Sequence, residues 1–225
     1  MPVTTTQVLR RVPLFADLPE EALGAIAPVM REKRYNKGAV IVLRDEPGDA
    51  LFVVTSGAVK VVLGAEDGRE VILAVLGPGD FFGEMAVLDD ERRSAHVIAM
   101  GEAELLVLRR DDFHAQLRSN PDLALALLRE VSRRLRRANE QIARLVLLDV
   151  NGRVASLLLN LADQEDGQRI TRRLTHHTIA QMIGTSRETV SRTLRHLEQR
   201  GVISVTRKEI LLRDRATLVA ASRRV

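Results

Sequence analysis

Cysteine and tryptophan are absent from the 225 residues, and tyrosine occurs once. Without cysteine there are no disulfides, thiolate zinc sites, cysteine-ligated iron–sulfur clusters or cysteine nucleophiles. Long apolar runs are missing as well. The longest, Val71 to Leu76 and Leu123 to Leu128, are six residues each, far below the ~20 that a membrane helix needs. The start, Met1 to Leu18, lacks the apolar core of a signal peptide, so a cytoplasmic location with no membrane partner is expected. Histidine is sparse: five, at 96, 114, 176, 177 and 196. The adjacent His176 and His177 cannot share one helical face as an i, i+4 pair does, so no metal site is expected. No nucleophile–base pair stands out either, and the chain does not read as an enzyme.

What is present is ample for packed cores: 45% hydrophobic and 28% charged residues, with no low-complexity tract. The length suits one large domain or two modest ones. The net charge of +4 is unevenly spread. Residues 1–149 carry 20 Lys and Arg against 23 Asp and Glu, whereas residues 150–225 carry 14 against 7. A net +7 in the last third points to a nucleic-acid module, although a basic surface that only aids solubility reads the same way.

Three textures follow along the chain. Between about Arg34 and Val107, Gly38, Gly48, Gly57, Gly68 and Gly79 recur every nine to eleven residues. They separate β-prone runs at 39–43, 51–54, 58–63 and 71–76, with another at 103–108. Turn pairs Pro47-Gly48, Asp67-Gly68 and Pro78-Gly79 complete the signature of a β-barrel or double-sheet roll. Before it, Thr6 to Glu32 reads as short helices, one starting at Pro19-Glu-Glu-Ala22.

The second texture is one helix from Pro121 to about Leu148, with Asn120 expected as its N-cap. Ala124, Leu128, Val131, Leu135, Ala138, Ile142 and Leu145 step by alternating fours and threes. This heptad seam favours a self-paired coiled coil over a helix packed only on its own domain. Asp149 interrupts the seam and can cap a new helix. The expected division is therefore a β-roll over 1–120, a dimerisation helix and hinge over 121–149, and a DNA-binding domain over 150–225. In that last part, Val154 to Ala162 is apolar enough for a buried helix. The polar loop Asp163 to Gly167, two helices, then Val202 to Val205, a turn near Arg207-Lys208 and Ile210 to Leu212 follow. Together these read as a winged helix-turn-helix.

Two segments carry chemistry. Gly79 to Leu88, followed by Asp89 to Ala95, combines glycines that admit an anion to the main chain with a cation and a hydroxyl, Arg93 and Ser94. Glu84 there is a carboxylate able to accept from a sugar hydroxyl. The plain alternative is a turn between strands that happens to contain an arginine. The other segment is Leu174 to Glu198. Ala180 is small where two helices touch, Gly184 supplies a turn needing positive φ, and Val190 points back to the core. Val190, Leu194 and Leu197 form the buried stripe of the second helix. Arg187, Glu188, Ser191, Arg192 and Arg195 form an apolar-free face suited to a major groove.

Ser186 to Arg192, with the roll and long helix before it, resembles the CRP/FNR family of bacterial transcription regulators over nearly the whole chain. That resemblance implies an α+β architecture: cyclic-nucleotide-binding β-roll, dimer helix, winged helix-turn-helix. It also implies base contacts from Arg187, Glu188 and Arg192 in each half of a palindrome like TGTGA-N6-TCACA. Thr175, His176, Ser186, Ser191 and Arg195 complete the expected DNA-facing set, His176 departing from the arginine of well-known members. In the roll, the match to a phosphate-binding cassette assigns Glu84 to the ribose 2′-hydroxyl and Arg93 and Ser94 to the cyclic phosphate. Gly83 and Met85 lend main chain, and Arg134 links the pocket to the dimer. Ala138 and Asn139 stand where the cyclic-AMP-binding member presents Thr and Ser to adenine. Ala138 cannot bond the exocyclic amine, whereas Asn139 can reach N6 or N7.

Cyclic AMP is the expected ligand, with cyclic GMP, a cyclic dinucleotide or no ligand as alternatives. Ligand binding is expected to order the long helix and reset the Asp149 hinge. Neither iron–sulfur nor haem sensing has its residues here, and a lone His96 does not suit a metal-binding cupin. The resemblance implies double-stranded DNA, a second copy of the chain and RNA polymerase as partners.

Overall fold

The computed structural model describes residues 5–64, 70–172, 174–206 and 208–223. The turn expected at Asp67-Gly68, and Arg207 of the expected wing turn, lie outside them. Contacts divide the chain into two compact units, Met1–Leu135 and Arg136–Val225.

In the first unit, helices α1 (Thr5–Leu9) and α2 (Glu20–Ile26) precede the strands β1 (Arg31–Tyr35), β2 (Val40–Val42), β3 (Ala50–Ser56), β4 (Val59–Gly64), β5 (Glu70–Leu76) and β6 (Phe81–Phe82). Helix α3 (Glu84–Asp89), strands β7 (His96–Ala99) and β8 (Ala103–Arg109) and helix α4 (Arg110–Ser119) follow. Two antiparallel four-stranded sheets result, ordered β1-β8-β3-β6 and β2-β7-β4-β5. All five β-prone runs fall on strands. The period-2 alternation of a strand explains the burial. Ala50, Phe52 and Val54 of β3, with Leu105 and Val107 of β8, join Val59, Val97 and Ala99 in one core cluster. Their neighbours Leu51, Val53, Leu106 and Leu108 pack instead with helical Leu9, Leu23, Ile26 and Phe113. Strands covered on both faces read as continuous apolar runs, as these do.

Several elements depart from expectation. Arg31 and Glu32, taken with the helical opening, begin β1 instead, which pairs with β8 from Arg31 opposite Val107 to Tyr35 opposite Ala103. Charged side chains there suit an edge strand, where they discourage pairing with another molecule. Asn120 does not cap the long helix through its side chain. Its amide nitrogen donates to Gln116 Oε1 and Ser119 Oγ, while its carbonyl receives Leu123 N–H at 3.1 Å. Pro121 is the first residue of that helix, α5 (Pro121–Leu147), as expected. Leu123 and Leu127 are buried in the helical core of the first unit.

In the second unit, α6 (Val150–Asp163) starts where Asp149 Oδ1 accepts from Gly152 N–H at 2.7 Å. Next come β9 (Arg169–Ile170), α7 (His176–Ile183), α8 (Arg187–Gln199), β10 (Ile203–Val205), β11 (Ile210–Leu212) and α9 (Arg215–Ser222). The expected hairpin is β10 with β11, and β9 extends it to three strands. One cluster, including Val154, Leu158, Ile179, Ala180, Val190, Leu194, Leu197, Ile210 and Leu218, holds this unit together. Gly184 ends α7 with φ +64°, the left-handed cap foreseen for the turn.

Candidate functional site

The segment 79–95 forms a cradle built on main chain. Gly83 precedes α3 at φ +86°, and a Cβ there would stand 2.7 Å from Arg93 Nη1 and 2.9 Å from the Ala50 oxygen. A Cβ on Gly48 would collide with Ala86. Only glycine permits these approaches. Arg93 is 5% exposed. Its Nη1 donates to the Gly83 carbonyl at 3.0 Å and its Nη2 to the Ala50 carbonyl at 2.9 Å. Asp49 lies 3.9 Å away, and the guanidinium sits 5.7 Å from the centre of the Phe52 ring. Phe52 in turn stacks on Phe82 at 4.9 Å. Burial pulls Arg93 below the usual arginine range, and the charges of Asp49 and Glu84 pull back. It stays a cation throughout the physiological range.

Glu84 opens α3 and is 6% exposed. Its Oε1 accepts from Arg134 Nη1 at 3.0 Å, and Arg134 Nη2 donates to the Phe81 carbonyl at 2.6 Å. The Arg134 guanidinium lies 4.2 Å over the Phe81 ring and 3.5 Å from Glu130. Of the residues nominated from sequence, Gly83, Glu84, Arg93 and Arg134 are brought together by the fold. Ser94 is exposed, its hydroxyl 3.8 Å from Met85 Sδ, and the Met85 side chain faces solvent. Ala138 and Asn139 are exposed on α5 within the second unit. Sequence reasoning missed Phe52, Phe81 and the Ala50 carbonyl. Main-chain oxygens leave no mark in a sequence, but the Phe81-Phe82 pair beside Gly83 is a visible signal. A buried cation, a nearby hydroxyl and a glycine main chain suit a phosphate diester; a buried carboxylate beside them suits a sugar hydroxyl.

The DNA-facing candidates gather on α7 and α8. Thr175 caps α7 by accepting from Thr178 N–H at 3.0 Å, and Ser186 caps α8 by accepting from Thr189 N–H at 3.2 Å. Val190, Leu194 and Leu197 face the core with Thr193, leaving Arg187, Glu188, Arg192 and Arg195 exposed and Ser191 half-buried. His176 is half-buried at the start of α7. Among the described residues, none of those four charged side chains has a hydrogen bond or ion pair. Unpaired Arg and Glu on one exposed helix face remain available to base edges and phosphates. The described residues hold no group of three or more His, Cys, Asp or Glu able to bind a metal ion, and no helix long and apolar enough to cross a membrane.

Comparison with known proteins agrees with both halves. Residues 32–120 match the cyclic nucleotide-binding domain and residues 152–221 the Crp-like helix-turn-helix domain. The CRP-like cAMP-activated global transcriptional regulator of Mycobacterium tuberculosis is 36% identical over 222 residues, 96% of this chain and 99% of that protein. The cyclic AMP receptor protein of Thermus thermophilus is 37% identical over 206 residues, 92% and 94% of the two chains. Among solved structures, FixK2 from Bradyrhizobium japonicum matches with a TM-score of 0.77 at 26% identity, covering 88% of this chain and 99% of that one. With an N-terminal cyclic-nucleotide domain, a C-terminal DNA-binding domain and this likeness along nearly its whole length, the chain belongs to the CRP/FNR family of transcription regulators.

Proposed function

We propose that the protein is a homodimeric regulator that binds a palindromic, TGTGA-like operator under the control of cyclic AMP. The observation that carries this reading is the convergence of two buried charges, Arg93 and Glu84, on a glycine main chain. Cyclic AMP brings a phosphodiester anion and a ribose hydroxyl. Arg93, Ser94 and the main chain of Gly83 and Met85 hold the first, and Glu84 holds the second. Arg134 bonds both Glu84 and the Phe81 carbonyl, so α5 feels what the cradle holds. Of the two candidates for the base end, Ala138 has no polar side-chain atom to offer adenine, whereas the Asn139 amide can bond N6 or N7. Relatives named for cyclic AMP favour that nucleotide over cyclic GMP or a cyclic dinucleotide.

Dimerisation is supported by the seam of α5, where Leu128, Leu135 and Ile142 are 62%, 61% and 59% exposed. Apolar residues so exposed at heptad spacing call for a partner helix. Each protomer then presents Arg187, Glu188 and Arg192 to bases, with Thr175, His176, Ser186, Ser191 and Arg195 beside them. The functional divisions are the roll at 1–120, the dimer helix and hinge at 121–149 and the DNA-binding part at 150–225, with RNA polymerase as the partner on promoters. Ligand binding shifts an equilibrium between states of high and low DNA affinity.

A second reading has its own observation. Both Nη atoms of Arg93 already donate to main-chain carbonyls, as in a constitutive regulator with a vestigial pocket. Calorimetric titration against a panel of cyclic nucleotides, paired with operator binding, separates the two. Micromolar binding of cyclic AMP that raises operator affinity upholds the proposal. Operator binding indifferent to every nucleotide selects the constitutive reading.

A further inference from the structure

Arg93 does not hold its own place. Residues 44–50 form a strap that fixes it on three sides. Asp45 N–H donates to the Arg93 carbonyl and Arg93 N–H donates to the Glu46 carbonyl, each at 2.9 Å, while the Ala50 carbonyl receives Nη2. The strap is itself strained: Asp45 has φ +65°, a left-handed conformation that a non-glycine residue adopts at a cost. Such a turn persists only when outside bonds hold it. Arg92 Nη1 supplies one, donating to the Asp45 carbonyl at 2.6 Å, and a bridge between Pro47 and Arg92 supplies another. The remaining one is unusual in kind. Arg44 N–H donates to His96 Nδ1 at 3.1 Å, so the strap leans on the lone pair of an imidazole.

We propose that His96 is a positioning residue for Arg93, and that protonation of its Nδ1 loosens the strap and weakens anion binding in the cradle. A protonated ring turns Nδ1 into a donor facing the Arg44 N–H donor, and the bond is lost. Imidazoles change charge within the physiological range, unlike every other group that touches the strap. The charges around the ring leave this logic intact. From the strap come Arg44, whose Nε is 3.5 Å from Asp45, and the carboxylates of Glu46 and Asp49, Asp49 lying 3.9 Å from Arg93. From β4, whose Val62 lies opposite His96, the charged residue is Lys60, 3.2 Å from Glu70 of β5. From β2 come only Val40, Ile41 and Val42, and along the chain come Arg92 and Arg93. Among the described residues no carboxylate bonds the ring. The sign follows: affinity is full when His96 is neutral and falls as pH drops and the ring takes up a proton.

This inference rests on the cradle being an anion site, as proposed above. The test uses the full chain. Cyclic AMP affinity is measured by calorimetry at pH 7.5 and 5.5 for the parent, His96→Asn and His96→Ala, alongside the amide resonances of Arg44 and Arg93 in an NMR pH titration. The bond is open to solvent, so its loss is worth about two- to fivefold in affinity. The parent should weaken by that factor at the lower pH. His96→Asn, whose Oδ1 accepts from Arg44 without titrating, should bind alike at both, and His96→Ala should be weak at both. Equal pH dependence in parent and His96→Asn, or none in the parent, overturns the proposal. If cyclic AMP does not bind at all, the ligand reading falls and the resonances decide: Arg44 and Arg93 amides that move with the His96 ring uphold the positioning role, and amides that stay still refute it.

Discussion

Arg93 and Arg134 are both guanidiniums over phenylalanine rings, yet their tasks differ. Arg134 is committed to Glu84 and the Phe81 carbonyl, whereas the hydrogen bonds of Arg93 go to carbonyls and its nearest carboxylate, Asp49, stands off at 3.9 Å. Arg93→Leu should therefore remove about 2–4 kcal/mol of cyclic-nucleotide binding, read by calorimetry, and leave ligand-free DNA binding in place. Equal affinity in mutant and parent would put the nucleotide elsewhere. A second residue-scale expectation concerns Glu165. Burial raises its pKa, but hydrogen bonds from Thr171 and Arg172 outweigh that and hold the carboxyl well below the usual glutamate range, at about 2. Its contribution is thus present above the unfolded value and disappears as pH falls through about 2. Glu165→Gln should cost on the order of 1 kcal/mol at pH 7, and the gap to the parent should close in urea melts as pH falls from about 4.5 towards 2. A gap that persists at pH 2 would refute the account. Glu84, Arg93 and Arg134 were legible because their side chains carry the chemistry. The Ala50 and Glu46 carbonyls were not, since any residue has a carbonyl and only the fold aims it.

Among the elements, α5 begins buried and continues exposed. Leu123 and Leu127 point into the first unit, and the 4-3 seam from Leu128 onward does not. The heptad spacing made that seam legible in advance. Leu135→Glu places a charge in the middle of it; if the proposed dimer forms through this seam, sedimentation should show a dimer for the parent and monomers for the variant, and an unchanged dimer would locate the contact on another face. Elements without a pattern escaped notice. The run Arg31-Glu-Lys-Arg-Tyr35 has no apolar alternation, and becomes β1 because β8 offers it a free edge. Helix α3 has six residues, too few for a helical period to declare itself. Asn120 has the composition of an N-cap, but its side chain turns back to Gln116 and Ser119. Composition permits a cap; competing local partners decide whether it forms.

For the molecule as a whole, the charge division made the DNA-binding reading possible, and the unpaired charges of α8 are where the proposal locates base recognition. Because a dimer uses each residue twice, Glu188→Ala should relax preference at one symmetric pair of base positions. About 1–3 kcal/mol of discrimination is at stake there, while salt-dependent nonspecific affinity largely survives. Binding-site selection at matched salt tests this, and a parental consensus with unchanged information at every position would refute the recognition-helix assignment. By itself the sequence determined the order of modules, the strands of the roll, the heptad spacing of α5 and the turn at Gly184, and it nominated the charged residues of both candidate sites. Each of these is written in a local period or in the chemistry of a side chain. Tertiary structure alone decided which carbonyls face Arg93, that Arg134 reaches Glu84 across 50 positions, and that His96 accepts from Arg44 across 52. Those contacts join segments distant in sequence, and no local pattern encodes a distance that only chain closure sets.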